Sequence, residues 1–186
     1  MKTTNAKEWV MPSLILVIIC LVITAALAVT YQITKPIIEE INIKNANIAR
    51  SEVLPDGAGS FTAIETDLIE NVSEIYQADN GAGLVFTTLD KGFGGKIIVM
   101  IGVNNQGEIQ GVKITNHSET PGLGTKAMTT DHLSQYIGNT TITNTGEAGK
   151  ANIDAVTGAT VSSNAIYRAV TTALEQYKQL GGAQNE

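Results

Sequence analysis

The sequence predicts an α+β protein: a single N-terminal transmembrane helix followed by one domain with an antiparallel sheet and flanking helices. Three observations carry this. Val10 to Tyr31 is almost wholly apolar, and no charged residue falls between Glu8 and Lys35. A mid-chain run of β-branched residues doubles back over a polar turn, the pattern of a hairpin. Farther on, apolar residues recur at helical spacing from Val161 to Gln179. No strand–helix–strand rhythm repeats, which sets the chain apart from parallel α/β folds.

The apolar run explains the composition. Charged residues make up 16% of the 186, below the usual quarter or so of a soluble domain. The 22 residues from Val10 to Tyr31, at a rise of about 1.5 Å each, make a helix of roughly 33 Å, enough for a hydrocarbon core of about 30 Å. Pro12 is expected in the first turn, where its missing N–H costs little. Trp9 and Tyr31 mark the ends, as interfacial aromatics do. Ala26-Leu27-Ala28 fits a signal-peptidase site, but the run is longer than a signal core, which favours a retained anchor in lipid. Ile18 and Ile19 precede Cys20 where a lipobox has small residues. A short N-terminus and a long translocated domain form the commoner arrangement, so the domain is expected on the extracytoplasmic side of the cell (inner) membrane, with a single pass. Beyond residue 31 the chain carries 10 basic and 17 acidic side chains. That acidic body would repel phosphates and argues against nucleic acid.

The remaining elements follow in order. The expected division is a cytoplasmic tip and membrane helix over 1–34, a juxtamembrane helix and connecting segment over 35–80, and the domain core over 81–186. Ile37, Ile38, Ile41 and Ile48 share a helical face, so a helix is expected after Pro36. Leu54-Pro55-Asp56-Gly57 reads as its stop. A mixed stretch, whose Glu65, Asp67 and Glu70 suggest a solvated face, leads to a short strand over 84–89. Residues 96–103 and 108–116 form the hairpin around Asn104-Asn105-Gln106-Gly107. A short helix is expected near 131–136, a strand over 153–156, then the long helix, ended by Gly181-Gly182.

The chemistry concentrates in a few segments. Cys20, the only cysteine, lies in the apolar run, so it offers neither an intrachain disulfide nor a thiol cluster. His117 and His132, the only histidines, count against a metal site. Ser118 beside His117 has no elbow or orienting pattern to make it a nucleophile. In Asp154-Ala155-Val156-Thr157-Gly158-Ala159-Thr160-Val161-Ser162-Ser163 a strand gives way to small residues and hydroxyls that open a helix. A helix N-terminus offers unpaired N–H groups and a positive dipole end, a seat for phosphate. On residue chemistry alone, Thr160 or Ser162 capping its own helix is the commoner use of such hydroxyls.

These residues carry a resemblance. Thr157-Gly158-Ala159-Thr160 resembles the S/T-G-A-T motif of the FMN-binding domain family of bacterial flavoproteins. Gly92-Phe93-Gly94-Gly95 is similar to the family's G-Y-G-G, with Phe93 for tyrosine, and His117-Ser118-Glu119-Thr120-Pro121-Gly122-Leu123-Gly124 resembles its H-x-E-T-P-G-L-G segment. With the N-terminal helix, the likeness covers most of the chain and points to the RnfG family, related to the NqrC subunits of sodium-pumping NADH:quinone oxidoreductases. The resemblance implies covalent FMN on Thr160 through a phosphoester made by a flavin transferase. Thr157, Gly158, Ala159, Ser162 and Ser163 would surround the attachment. The loop of Glu119, Thr120, Gly122, Leu123 and Gly124 would lie beside the flavin, its glycines allowing close packing. Lys126 faces phosphate or solvent. The implied role is an electron-transfer subunit of an ion-translocating ferredoxin:NAD oxidoreductase that moves sodium ions or protons. It would work with other membrane and iron–sulfur subunits and have no turnover alone. An NqrC-like or stand-alone FMN carrier serving another acceptor, and a non-redox assembly subunit, remain the alternatives.

Overall fold

The computed structural model describes residues 6–57 and 59–182, with side chains described from residue 11 onward except that of residue 39. The chain divides into two compact units, Met1–Asn45 and Ala46–Glu186. In the first unit the described chain is all helix, part of α1 (Ala6–Val53), which is long and apolar enough to cross a membrane. Its apolar side chains are exposed, among them Leu16, Leu21 and Leu27. Pro12 and Pro36 both lie inside α1, whereas the sequence reading puts Pro12 in a first turn and starts a new helix at Pro36. Each proline removes one helical hydrogen bond, and an apolar setting penalises the further loss that breaking the helix would bring. The isoleucines at 37, 38 and 41 are exposed as well. Residues 1–5 of the expected cytoplasmic tip and the side chain of Trp9, the first interfacial aromatic, lie outside the described residues.

In the second unit the last turns of α1 end at Val53, and a 3-10 turn over Pro55–Gly57 follows, at the stop the sequence predicts. Five strands then form an antiparallel meander in chain order: β1 (Phe61–Ala63), β2 (Val72–Ala78), β3 (Gly83–Lys91), β4 (Lys96–Asn104) and β5 (Ile109–His117). The expected strand at 84–89 and both arms of the hairpin are present, the first two slightly extended and the last shifted by one residue. Sequence reading misses β1 and β2. In β2 a register shift between Val72 and Glu74 puts Val72 and Ile75 on one face, and Ala78 is buried on the other, so the alternation that marks a strand is lost. Both strands belong to the same sheet as β3–β5, so the sheet begins well before residue 81.

Beyond the meander come α2 (Thr130–Ser134), a parallel pair of β6 (Ile142–Thr143) and β7 (Ala151–Asn152), and α3 (Thr160–Gln179). The strand expected over 153–156 is therefore displaced to 151–152. The Ile153 N–H still reaches the Thr143 carbonyl at 2.7 Å. After it, side chains satisfy the backbone: Gln135 Oε1 accepts from Asp154 N–H at 3.0 Å and Ser163 Oγ from Val156 N–H at 3.0 Å.

Alternation along the strands sorts the core onto two faces. Leu84, Phe86, Ile97, Val99, Ile101 and Val103 pack with Ile166, Val170, Leu174 and Tyr177 of α3, the face the sequence predicts. Polar contacts pin that helix along its length. Arg168 forms a two-pronged ion pair with Asp90 at 2.7 and 3.0 Å. The buried Gln176 amide accepts from Ile69 N–H at 2.8 Å and donates to the Asp67 carbonyl at 3.2 Å. On the opposite face Val85 and Met100 pack with Ala49, Val53 and Leu54. Arg50 stacks 3.4 Å above the Tyr76 ring.

Two paired glycines, Gly102 and Gly111, let the end of α1 lie directly on β4 and β5. A Cβ on Gly102 would overlap the Val53 carbonyl oxygen, and one on Gly111 would stand 2.7 Å from Val53 Cα. Gly102→Val should therefore destabilise the protein by about 1–3 kcal/mol, as other overpacked sites do. Chemical unfolding of the detergent-solubilised chain reads this directly, and wild-type stability would refute the close seating.

Candidate functional site

The chain enters α3 through a tight turn. Val156 to Ala159 close on a 2.9 Å bond from Ala159 N–H to the Val156 carbonyl, with Gly158 at φ +81° in the third position, as a type II turn requires. Nothing lies within 4 Å of a Cβ at Gly158, so backbone conformation rather than crowding calls for glycine there. Ser163 Oγ braces the turn from inside by accepting the Val156 N–H.

No side chain caps α3. Its N-cap position is Ala159, and neither Thr160 nor Ser162 acts as the cap that hydroxyl chemistry suggests. The reason is visible in the bonds: Ser162 Oγ donates to Glu119 Oε2 at 2.7 Å and Ser163 holds the turn. Among the described residues the N–H groups of Thr160, Val161 and Ser162 therefore have no acceptor. Thr160 is exposed and its hydroxyl has no partner there either. Unpaired N–H groups at the positive end of a helix favour an anion.

Two loops face this turn. In the first, Gly92 N–H bonds the Gly95 carbonyl at 2.7 Å and projects Phe93 outward, 78% exposed. In the second, Thr120-Pro121-Gly122-Leu123 is another tight turn, closed by a 3.1 Å bond from Leu123 N–H to the Thr120 carbonyl, with Gly122 at φ +77°. Gly122 thus serves its own turn and faces open space. Gly124 is buried, but a Cβ there would overlap Glu119 Oε2 and stand 2.8 Å from Ser162 Oγ. A side chain at Gly124 would thus displace this carboxylate, and Gly124 itself borders the cavity described below. Glu119 itself is 5% exposed, its Oε1 accepting from Gly94 N–H at 2.9 Å.

Together these segments enclose a cavity of about 340 Å³ lined by Phe93, Leu123, Gly124, Thr160, Val161 and Ser162, with Gly158 and Ala159 at the turn. The size and the pairing of apolar walls with a few polar groups suit a small cofactor. Phe93, Leu123 and Val161 offer apolar surface to a flat ring, while the helix N–H groups and the free Thr160 hydroxyl suit a phosphate. The residues present therefore fit FMN. Of the residues expected at the site, Thr157 and Thr120 are exposed but do not line the cavity, and Ser163 and Glu119 are buried behind it. Lys126 is exposed and off the lining. Sequence reasoning passed over Phe93 and Val161 as wall residues. An aromatic on a glycine-flanked loop was the available signal for the first; the second shows only once α3 is placed.

A larger cleft of about 470 Å³ lies along β5 and α2, between Lys113, His117, Leu133 and Ile137. It contains none of the expected cofactor residues. His117 is exposed, whereas His132 is 3% exposed, with its ring edge-on to Tyr136 at 6.0 Å. Burial holds the His132 pKa below the ordinary 6.5, opposed more weakly by Asp131. The unfolded chain then takes up the proton first, so stability is level above about pH 6.5 and falls as pH drops toward the folded pKa. His132→Phe, which keeps the edge-on packing, should flatten this fall between about pH 7 and pH 5 in denaturant titrations. An unchanged slope would assign it to other groups.

Comparison with known proteins gives the family. Residues 92–175 match the FMN-binding domain and residues 1–50 the RnfG N-terminal region. The chain is 31% identical to the G component of the Na(+)-translocating ferredoxin:NAD(+) oxidoreductase complex of Acetobacterium woodii, over 90% of each chain. It is 29% identical to the G component of the ion-translocating oxidoreductase complex of Methanosarcina acetivorans, over 92% of this chain and 96% of that one. Among solved structures, Shewanella oneidensis NqrC aligns with a TM-score of 0.46 and 22% identity, over 64% of this chain and 70% of that one. With both family regions in place and similarity to these components along most of its length, the chain belongs to the RnfG family and contains its FMN-binding domain.

Proposed function

We propose that this protein is the membrane-anchored RnfG component of an ion-translocating ferredoxin:NAD(+) oxidoreductase complex and carries FMN as a phosphoester on Thr160. One observation carries the site: an exposed Thr160 hydroxyl without a partner among the described residues stands on the wall of the cavity, at the first turn of a helix whose leading N–H groups are likewise unpaired among them. Bound FMN supplies one-electron chemistry, accepting and releasing single electrons. The chain's own residues hold and shield it. Thr160 Oγ1 provides the bond to phosphate, and the N–H groups of Val161 and Ser162 offset phosphate charge. Phe93, Leu123 and Val161 keep water from the ring, and Thr157 serves as a supporting hydroxyl in the turn. Covalent attachment suits a domain outside the cytoplasm, where a dissociated cofactor is lost by dilution. A flavin transferase makes the bond: Thr160 Oγ1 gives up its proton and displaces the leaving group of an activated flavin phosphate. The other membrane and iron–sulfur subunits of the complex exchange the electrons, and the apolar run of α1 stays in the lipid of the cell membrane.

Two measurements test this. Thr160→Val keeps shape and β-branching but removes the attachment oxygen, so peptide mass spectrometry of protein made with its transferase should find no covalent flavin. Thr157→Val should slow attachment without abolishing it. Flavin on Thr157, or still bound to Thr160→Val, would overturn the assignment. For topology, protease added to cells with a permeabilised outer boundary should digest the domain beyond residue 46, and full protection would reverse the orientation.

A further inference from the structure

We infer that Glu119 is a positioning residue whose buried carboxylate latches together the three segments that wall the cavity, and that Gly92 and Gly124 make room for this carboxylate. The inference rests on the cofactor reading above, and it assigns Glu119 no contact with the cofactor, because the side chain does not line the cavity. Oε1 accepts from Gly94 N–H at 2.9 Å and Oε2 accepts from Ser162 Oγ at 2.7 Å. No basic side chain pairs with it among the described residues. Two donors aimed at two oxygens are what a carboxylate, with acceptors on both, is suited to receive.

The placement explains the shape of the site. Gly92, Gly94, Gly124 and Ser162 surround the carboxylate. The last three each follow directly after an exposed apolar residue on the cavity wall: Phe93, Leu123 and Val161. One side chain behind the wall therefore fixes all three wall positions at once. The fit is tight on both sides. A Cβ at Gly92 would overlap Oε1 and stand 2.6 Å from Ile97 Cδ1, and one at Gly124 would overlap Oε2 and stand 2.7 Å from Cδ. The Glu119 N–H is also held, by His117 Nδ1 at 3.2 Å, which sets the backbone from which the carboxylate projects.

The test is a double-mutant cycle on the full chain in detergent, measured without flavin and again with a co-expressed flavin transferase. Gly124→Ala and Glu119→Ala should each lower the thermal midpoint of the flavin-free protein by about 3–6 °C. In Glu119→Ala the new methyl at position 124 meets no carboxylate, so the double variant should be no less stable than Glu119→Ala alone. Additive losses would overturn the inference, since the glycine would then serve something other than the carboxylate. Glu119→Ala should slow covalent flavin incorporation, read by intact mass, by about tenfold. Glu119→Gln keeps the shape and an acceptor for Gly94, and should restore most of that rate. Incorporation at the wild-type rate in Glu119→Ala would also overturn the latch. A wild-type chain that takes up no flavin would instead defeat the proposed function, and the thermal cycle would still judge the latch on its own.

Discussion

Burial of the apolar face of α3 against β3 and β4 fixes where its N-terminal turn stands, and the geometry of the cavity follows from that turn. Ala165, Ile166, Ala169, Val170 and Ala173 are completely buried, and the alanines among them let the helix approach the strands closely. Arg168 and Gln176 add polar ties at two points along the same helix. A helix held along its length cannot slide by a residue without losing the core. Thr160 and the unpaired N–H groups beside it are thus held by packing several turns away.

Polar groups around the cavity are divided between structure and binding. Ser162 and Ser163 stand in a position where hydroxyls often cap a helix, yet both face inward and are used on Glu119 and on the Val156 N–H. Their commitment leaves the helix end open toward the cavity. A capped helix would already have satisfied the groups that an anion needs. The apolar wall has a matching logic. Of the large apolar side chains in the second unit, Phe93, Leu123 and Val161 are among the few left at half exposure or more, and all three meet at one cavity. Exposed apolar surface gathered in one place implies a ligand or partner that covers it.

The two units obey different rules. In the first, the side chains from Met11 to Tyr31 are exposed and almost all apolar, the reverse of a water-soluble surface and the pattern that lipid requires. In the second, the acidic stretch at Glu65, Asp67 and Glu70 is exposed, while buried polar groups such as Gln176 are hydrogen-bonded. Where the second unit takes in the end of α1, the sheet gives up side chains at Gly102 and Gly111 so that Val53 lies against strand backbone.

By itself the sequence determined the membrane helix, the β4–β5 hairpin, α3 with its buried face, and the segments that carry the site, because each depends on local chemistry: apolar length, strict alternation, helical spacing, or a glycine at a fixed place in a turn. Residues 92–95, 119–124 and 157–160 were legible as motifs for that reason. Tertiary structure decided the rest. β2 stayed hidden because a bulge breaks its alternation, and 153–156 is no strand because Gln135 and Ser163, distant in sequence, satisfy its backbone. The roles of Glu119, Gly124, Ser162 and Ser163 were out of reach for the same reason. A carboxylate reads as a surface residue and a glycine as room for a ligand until folding brings Gly94, Gly124 and Ser162 around one side chain. Whether a polar group binds or builds depends on the partner it meets, and those partners lie on three separate segments of the chain.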